Sequence, residues 1–211
     1  MKIAFIGYGQ VGGALADHQQ RAGHTVTLAA ARATSQSVGQ ALARNPGLGV
    51  ASPQDAVREA DVVFLATPFQ ANEEALKAVS AQLAGKILVD CTNPVGPGLT
   101  HGLDNRLSGT EWIQGLVPEA KVVKAFTIYG FENFENPVYP GYDVRPVMLY
   151  CGNDADAKRT VAGLIEQLGW QPMDVGGAEQ ALHLEHMTLL WVRMVRVGGH
   201  SPNFVWAVLE R

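Results

Sequence analysis

Short apolar runs alternate along the chain with longer segments in which apolar residues recur at helical spacing. This alternation is typical of crossover units, which build a parallel sheet covered by helices. The apolar runs predict strands at residues 2–6, 25–29, 62–66, 87–90, 122–126, 147–151 and 172–175. The longer segments predict helices at about residues 11–21, 53–59, 71–83, 155–168 and 178–197. The pattern therefore predicts an α/β fold with a mainly parallel sheet and a small C-terminal helical part.

One stretch interrupts this pattern. Residues 129–146 are rich in proline, glycine, asparagine and aromatic residues, which predicts a long irregular connection that could cover a site. Its aromatic side chains either pack in the core or shape a pocket for a flat ring, and they are Tyr129, Phe131, Phe134, Tyr139 and Tyr142. We expect a first domain over residues 1–150 and a small strand and helix part over residues 151–211 that completes a cleft.

The first predicted strand and helix are joined by a glycine turn, GYGQVG at residues 7–12. In this context Gly7 permits a tight turn, Gly9 lets the backbone approach a pyrophosphate, and Gly12 lets the helix pack closely on the sheet. The helix N-terminus offers unpaired amides and the positive end of its dipole to phosphates. The turn therefore predicts a dinucleotide-binding domain of the Rossmann type, with a doubly wound sheet.

The residues after the second predicted strand bear on which dinucleotide binds. Ala30 and Ala31 stand where proteins that choose NAD carry a carboxylate for the ribose 2'-hydroxyl. Arg32 follows, and a guanidinium can pair in bidentate fashion with a 2'-phosphate, while Thr34 and Ser35 add hydroxyl donors. The sequence therefore favours NADP(H).

Polar and proline residues follow the other strands. In an open parallel sheet the ligand lies beyond the carboxyl ends of the strands. Thr67 and Pro68 would border a cofactor ribose, Asn93 and Pro94 would lie nearer the nicotinamide ribose, and Thr127 could hydrogen-bond the carboxamide. Each of these residues is also ordinary as a helix cap or loop residue. The set as a whole is therefore stronger evidence for a cofactor site than any single member.

Composition and charge narrow the classes of partner. The net charge of −4 arises from 16 basic and 20 acidic residues without long like-charge runs, so we expect neither a nucleic acid nor a membrane as partner. There is no apolar stretch of membrane-spanning length and no leader pattern, which predicts a cytoplasmic protein. Cys91 and Cys151 are expected to be buried thiols rather than a disulfide.

The last predicted helix carries His183 and His186, three residues apart and therefore able to share a face. A metal site would need a further ligand, and none is recognisable, so we predict no metal. Packing or a place in an acceptor pocket is preferred for these histidines. The apolar residues of this helix suit burial against the first domain or a second subunit, and a homodimer through this helix remains an open expectation.

Three stretches, KVVKAFTIYGFENFENP, YCGNDADAKRTVAGLIEQLGW and QALHLEHMTLLWV, resemble the coenzyme F420-dependent NADP oxidoreductase family. The similarity covers nearly the whole chain, and that family also resembles the cytoplasmic reductase domain of STEAP metalloreductases. The resemblance implies a cleft in which hydride passes between NADP(H) and a small-molecule redox acceptor, coenzyme F420 or another flavin. It implies an NADP site formed by Gly7, Tyr8, Gly9, Gln10, Val11, Gly12, Arg32, Thr34, Thr67, Pro68, Asn93, Pro94, Ala125 and Thr127.

Two positions depart from the family pattern. Thr127 stands where relatives commonly have asparagine, so a hydroxyl would make the carboxamide contact. Ala31 stands where relatives often have serine, which leaves the preference for NADP dependent on Arg32.

Two other functions remain open at this point. A reductase of imines or small carbonyl compounds would need a general acid in the cleft, for which His183, His186 or Tyr129 are the candidates. A non-catalytic sensor would bind NADP(H) and discriminate between its redox forms without turnover. A flavin-like acceptor requires no protein acid, and beyond a positioning role for Thr127 no catalytic residue is assigned.

Overall fold

The computed structural model describes residues 1–211 and contains one eight-stranded sheet. The strands are β1 Lys2–Ile6, β2 Thr25–Ala29, β3 Gly49–Ala51, β4 Val62–Leu65, β5 Ile87–Asp90, β6 Lys121–Lys124, β7 Val147–Gly152 and β8 Gln171–Asp174. Their order is β3-β2-β1-β4-β5-β6-β7-β8, and only β6 and β7 pair antiparallel. The strand order reverses between β1 and β4, where a crevice for ligands opens in such sheets. The predicted Rossmann-type, doubly wound fold is confirmed.

Nine α-helices accompany the strands. They are α1 Gln10–Arg21, α2 Gln36–Arg44, α3 Pro53–Glu59, α4 Asn72–Lys77, α5 Ser80–Leu83, α6 Gly109–Leu116, α7 Phe131–Glu135, α8 Ala155–Gln167 and α9 Ala181–Val192. A π-helical turn, Arg193–Val197, continues α9. None of these helices has the length and apolar character needed to cross a bilayer.

The core lies on both faces of the sheet because the strands are covered on both sides. Along β1, Ile3 and Phe5 belong to a cluster of 32 buried residues, whereas Ala4 and Ile6 belong to a second cluster of 16. This alternation follows from the period of two in a strand. The larger cluster includes Trp170 near β8 as well as Ile3 and Phe5 of β1, and so ties the C-terminal strands and helices to the N-terminal part of the sheet.

The helices begin in two different ways. Ser35, Ser52, Ser108 and Asp154 are N-cap residues whose side chains accept a hydrogen bond from a first-turn amide of α2, α3, α6 and α8. At α1 the N-cap is Gly9, which has no side chain to offer. The first turn of α1 therefore keeps amides that no side chain of its cap satisfies.

Several elements differ from the sequence-based expectation. Helices α2 and α6 and strand β3 were not predicted; α6 contains two glycines that weaken its helical pattern, yet a capping box between Ser108 and Glu111 starts it. The helix expected over residues 71–83 is divided into α4 and α5, because Val79 leaves the helical region with φ −131°. The connection at 129–146, expected to be irregular, contains the short helix α7.

The C-terminal residues extend the same sheet, since β7 pairs with β6 and β8 with β7. The domain division at residue 150 stays a prediction. Cys91 and Cys151 are both free and buried, as expected. Burial raises the pKa of the Cys151 thiol to about 12 and that of Cys91 well above its usual range.

Candidate functional site

The glycine turn between β1 and α1 has two glycines that packing requires and one that it does not. Gly7 has φ +87°, and a Cβ there would lie 2.6 Å from the Ala66 carbonyl carbon. A Cβ on Gly12 would lie 2.1 Å from the Gly7 carbonyl oxygen. A Cβ on Gly9 would meet nothing within 4 Å. The backbone at Gly9 is therefore open to a ligand, as a pyrophosphate site requires.

A cavity of about 420 Å³ opens beside this turn, at the carboxyl ends of β1, β2 and β4. Gly7, Tyr8, Gly9 and Thr67 line it, as expected, together with Ser37 and other residues that the sequence did not single out. Those additional residues are mainly small and apolar, including Ala29, Pro53, Ala71 and Ala75, but one of them is the carboxylate Glu74. Ala31, which the sequence did single out, also lines the cavity. A cavity with an apolar wall, an open glycine and an uncapped helix start fits the adenosine and phosphate groups of a dinucleotide.

Arg32 and Thr34 lie just after β2 and are both exposed. The guanidinium of Arg32 takes part in none of the ion pairs of the chain. Ser35 is engaged as the cap of α2, and its hydroxyl lies 3.3 Å from that of Ser37. An unpaired guanidinium followed closely in the sequence by the hydroxyls of Thr34 and Ser35 is a chemically suitable partner for a phosphate.

Gln10 and Val11 form the first turn of α1, next to the open glycine. Pro68 is exposed after β4, whereas Pro94 is buried and lines a separate cavity of about 380 Å³ with Phe69 and Trp112. Ala125, another predicted site residue, lies in the core rather than at the edge of a cavity.

Ala125 is fully buried within the larger core cluster. Only the backbone of Ala125 is therefore suited to contact a ligand.

Three side chains meet beyond β5 and β6. The Thr127 hydroxyl donates to Asn93 Oδ1 at 2.9 Å and lies 2.8 Å from the hydroxyl of Thr188, which comes from α9. Thr188 Oγ1 accepts a hydrogen bond from the Ile128 amide at 3.0 Å. Asn93 and Thr127, predicted from the strand ends, are thus brought together, while Thr188 was not predicted. Thr127 is only 1% exposed, so its hydroxyl faces these neighbours.

The backbone around Thr127 is unusual. Phe126 has φ +52° and Ile128 has φ +65°, both in the left-handed region. This region is uncommon for residues other than glycine and disfavours a β-branched residue such as isoleucine. Strained backbone of this kind persists where surrounding contacts determine it, and it is frequent at functional sites.

A chain of buried polar groups leads from the nucleotide cavity toward β5. The Thr67 hydroxyl donates to Asn72 Oδ1 at 2.6 Å, and Asn72 Nδ2 donates to Thr92 Oγ1 at 2.9 Å. The Thr92 hydroxyl donates in turn to Asp90 Oδ1 at 2.7 Å. Asn72 is fully buried with both polar ends satisfied, so it fixes Thr67 at the edge of the cavity.

Lys124, the last residue of β6, is fully buried between two carboxylates. Its ammonium donates to Asp90 Oδ2 and to Glu185 Oε1, each at 3.1 Å, and to the Thr92 carbonyl. Burial disfavours the charge, but Asp90 and Glu185 outweigh burial, so the pKa of Lys124 is raised. Lys124 is therefore charged and paired at neutral pH, which suits it to holding α9 against the sheet rather than to proton transfer.

Glu185 joins this group to His101. His101 Nε2 lies 2.8 Å from Glu185 Oε2, and the Leu103 amide donates to His101 Nδ1 at 3.3 Å. These contacts fit the tautomer with its proton on Nε2. The Gly109 amide also donates to Glu185, at 2.9 Å. Glu185 thus accepts hydrogen bonds from three directions and connects α9 to the start of α6.

The two histidines expected on the last helix are both exposed. The His186 ring stacks on His101, with centroids 5.6 Å apart, whereas His183 makes no such contact with it. No group of three or more His, Cys, Asp or Glu side chains in the chain is arranged to hold a metal ion.

Tyr129, a candidate acid, is buried, and its hydroxyl donates to the Val147 carbonyl at 2.7 Å. Its ring stacks on Trp170, and burial raises its pKa. Tyr139 and Tyr142 line a further cavity of about 300 Å³ with Phe204. The aromatic residues of the connection are thus divided between the core and this surface cavity.

Known proteins resemble this chain in sequence and in fold. The sequence profile of a family described as NADP oxidoreductase, coenzyme F420-dependent, matches residues 2–94. The crystal structure of a candidate F420-dependent NADP reductase from Arthrobacter sp. FB24 is 33% identical, matches 100% of both chains and has a TM-score of 0.86. This chain belongs to the coenzyme F420-dependent NADP oxidoreductase family.

Two curated relatives are similar to this chain over part of their length. The F420-dependent NADP reductase of Methanocaldococcus jannaschii is 32% identical over 148 residues, which is 66% of this chain and 64% of that protein. The metalloreductase STEAP3 of Rattus norvegicus is 32% identical over 136 residues, which is 64% of this chain. The match spans 26% of the length of that metalloreductase.

Proposed function

We propose that the protein is an NADP(H)-dependent oxidoreductase that transfers hydride between the nicotinamide and a flavin-like acceptor such as coenzyme F420. The observation that carries this proposal is the combination of an open backbone at Gly9 with an uncapped start of α1 beside the cavity. Amides at such a helix start bind phosphate groups, and the cavity next to them accepts an adenosine. Membership of the F420-dependent family agrees with this proposal.

The preference for NADP(H) rests on residues after β2. Ala30 and Ala31 offer no carboxylate to a ribose 2'-hydroxyl, and the Arg32 side chain is exposed without an ionic partner. A 2'-phosphate would supply that partner, and Thr34 would donate a further hydrogen bond. The resulting hypothesis assigns Arg32 the selection of the nucleotide.

The side chains at the proposed nicotinamide end support a flavin-like acceptor. When bound, NADP(H) supplies or receives the hydride, and the protein positions it. The groups gathered there are the hydroxyls of Thr127 and Thr188 and the amide of Asn93, none of which is an acid. The Tyr129 hydroxyl is bonded to a backbone carbonyl and Lys124 is paired. An imine or carbonyl acceptor needs an acid, whereas a flavin-like ring can exchange its proton with solvent.

The test is NADPH consumption by the purified protein, followed optically with coenzyme F420, FMN, FAD, ferric chelates and cyclic imines, and with NADH in parallel. Turnover of F420 or a flavin with NADPH preferred over NADH is the expected result. Turnover of cyclic imines alone would identify an imine reductase. Tight binding of NADPH without turnover on any acceptor would identify a sensor instead of an enzyme.

We also propose that two copies of the chain associate through the C-terminal helix. Leu184 and Leu189 on α9 are buried within the chain, but Leu190 is 51% exposed and Val197, in the following turn, is 73% exposed. Light scattering coupled to size-exclusion chromatography tests the proposal. A monomer at micromolar concentration would contradict it.

A further inference from the structure

We propose that Thr188, on α9, is a positioning residue for the nicotinamide end of the cofactor site. Its hydroxyl orients Thr127, and Thr127 holds the side chain of Asn93 with its amide nitrogen free for the cofactor. This inference rests on the proposed function and deepens it, because it assigns to the last helix a role in placing the hydride-carrying ring.

The direction of the hydrogen bonds follows from counting protons. Thr127 and Thr188 have one hydroxyl proton each. The Thr127 proton is donated to Asn93 Oδ1, and the proton of Thr188 has two acceptors within reach, Thr127 Oγ1 at 2.8 Å and the Leu184 carbonyl at 3.1 Å. The contact with Thr127 is the shorter of the two. Thr188 Oγ1 accepts in turn from the Ile128 amide. The Thr188 proton is thus shared between Thr127 and the Leu184 carbonyl, and one chain of contacts runs from the Ile128 amide through Thr188 and Thr127 to Asn93.

This chain decides what Asn93 presents to a ligand. Its Oδ1 is occupied by Thr127, so both N–H groups of Nδ2 remain as donors. Asn93 is half-buried after the carboxyl end of β5, while Thr127 is almost completely buried. The ligand-facing group is thus the Asn93 amide, whose donors suit a ribose hydroxyl or a carboxamide oxygen. Thr127 acts through Asn93.

The same hydroxyl also stabilises the left-handed turn at Phe126 and Ile128. The Phe126 ring is held against Phe64, with centroids 5.5 Å apart, and the Ile128 amide is held by Thr188. Without that acceptor, a buried amide in a strained backbone would lose its partner.

Thr188 itself is held rigidly because Glu185, one turn earlier on α9, is bonded to Lys124 and to the Gly109 amide. The helix therefore presents the hydroxyl from a fixed position.

Binding of two probes separates a local role from a general one. NADPH carries the nicotinamide, whereas adenosine 2',5'-bisphosphate contains only the other half of the cofactor. In Thr188→Val, which keeps the shape and removes the hydroxyl, we expect NADPH affinity to fall about fivefold to tenfold, as for a lost buried hydrogen bond. Affinity for adenosine 2',5'-bisphosphate should stay unchanged. Thr188→Ser should restore NADPH affinity.

Thr160→Val is a matched control. Thr188 donates to the carbonyl four residues earlier, Leu184, at 3.1 Å, and Thr160 in α8 likewise donates to the Asp156 carbonyl at 3.0 Å, but Thr160 has no contact with Thr127 or Asn93. This variant should bind both probes as the wild type does. Equal loss of both probes in Thr188→Val, or no loss of either, would overturn the positioning role. Failure of the wild type to bind either probe would overturn the proposed function itself.

Kinetics and a double variant complete the test. With coenzyme F420 as acceptor, Thr188→Val should lower kcat by about tenfold or more, because a small misplacement of the ring slows hydride transfer strongly. If Thr188 acts through Thr127, the variant with Thr127→Val and Thr188→Val should be no worse than the more damaged single variant. Additive losses would contradict the chain. Should Thr188→Val fail to fold, Thr127→Val carries the same two-probe comparison.

Discussion

The two ends of the proposed cofactor site are built in different ways. At the nucleotide end, Gly7, Gly9 and Gly12 lie within one turn, and the backbone alone forms the open surface. At the nicotinamide end, Thr127 contacts Asn93, 34 residues away, and Thr188, 61 residues away. The first end is local and consists of backbone. The second is assembled from side chains that depend on the docking of α9.

This difference indicates which parts of the site can lose their geometry independently of each other. Contacts within one turn form with the strand and helix that contain them, whereas contacts between distant segments require the complete tertiary structure. Damage to the buried polar contacts of α9 should therefore disturb the nicotinamide end first. Damage to the glycine turn should abolish phosphate binding and leave the chain from Thr188 to Asn93 intact.

The largest effect is expected from Lys124→Met, which leaves Asp90 and Glu185 buried without their cation. Removing one member of a buried ionic group costs about 3–5 kcal/mol of unfolding free energy. Urea denaturation measures this loss of unfolding free energy. Lys77→Met is the control, because Lys77 and Glu73 form an exposed pair with little effect on stability.

The pH dependence of this difference has a defined sign. The folded pKa of Lys124 is raised, so its contribution is complete below the ordinary lysine pKa of about 10.4 and is lost as pH rises through the folded value. The gap between wild type and Lys124→Met should not shrink as pH is raised from 7 to 9. A decrease of the gap over that rise in pH would contradict the assignment of a charged Lys124.

Substitution of Gly12 and of Gly9 should have smaller effects than Lys124→Met, and the two effects should differ in kind. Gly12→Ala should lower the unfolding free energy by about 1–3 kcal/mol, because its Cβ would overlap the Gly7 carbonyl. Gly9→Ala should leave stability nearly unchanged and weaken NADPH binding on the order of tenfold by obstructing phosphate contacts. Thermal unfolding and calorimetric titration measure the two effects. Equal stability losses would remove the distinction between packing and binding glycines.

Arg32→Ala should change selectivity without changing the fold. Loss of the exposed guanidinium should reduce the ratio of NADPH to NADH affinity by about tenfold, a value limited by solvent and salt screening. Arg106→Ala, which removes another exposed arginine, is the control. An unchanged ratio in Arg32→Ala would show that another residue selects the nucleotide.

The smallest expected signal is thiol reactivity in the wild type. Burial raises the pKa of Cys151 to about 12 and also raises that of Cys91, so both thiols should stay protonated and unreactive toward a disulfide reagent at pH 8. Cys91 follows β5, two residues before Asn93, so a faster reaction of Cys91 in Lys124→Met would report opening of the nicotinamide end. Fast reaction in the native wild type would contradict the buried placement.

By itself, the sequence determined the α/β fold with its doubly wound, mainly parallel sheet, and it predicted the glycine turn between the first strand and helix as the nucleotide end of the site. Apolar runs with the period of a strand, and a glycine turn between a strand and a helix, are local signals that one segment carries completely. Asn93 and Thr127 were also found, because strand ends in a parallel sheet share one edge. Asp90 and Lys124 were not singled out, and their pairing became apparent only from the adjacent strands β5 and β6.

Only the tertiary structure decided the contacts of the last helix. Thr188, Glu185 and His101 carry no local pattern that marks them as buried partners, since threonine, glutamate and histidine are usually exposed. Ser37 and Asn72 became part of the site because α2 and α4 pack where they do, and α2 was not predicted at all. Thr188 acts through a hydrogen bond to Thr127, 61 positions away. Such a contact depends on how α9 docks on the sheet, and the packing of the whole core determines that docking.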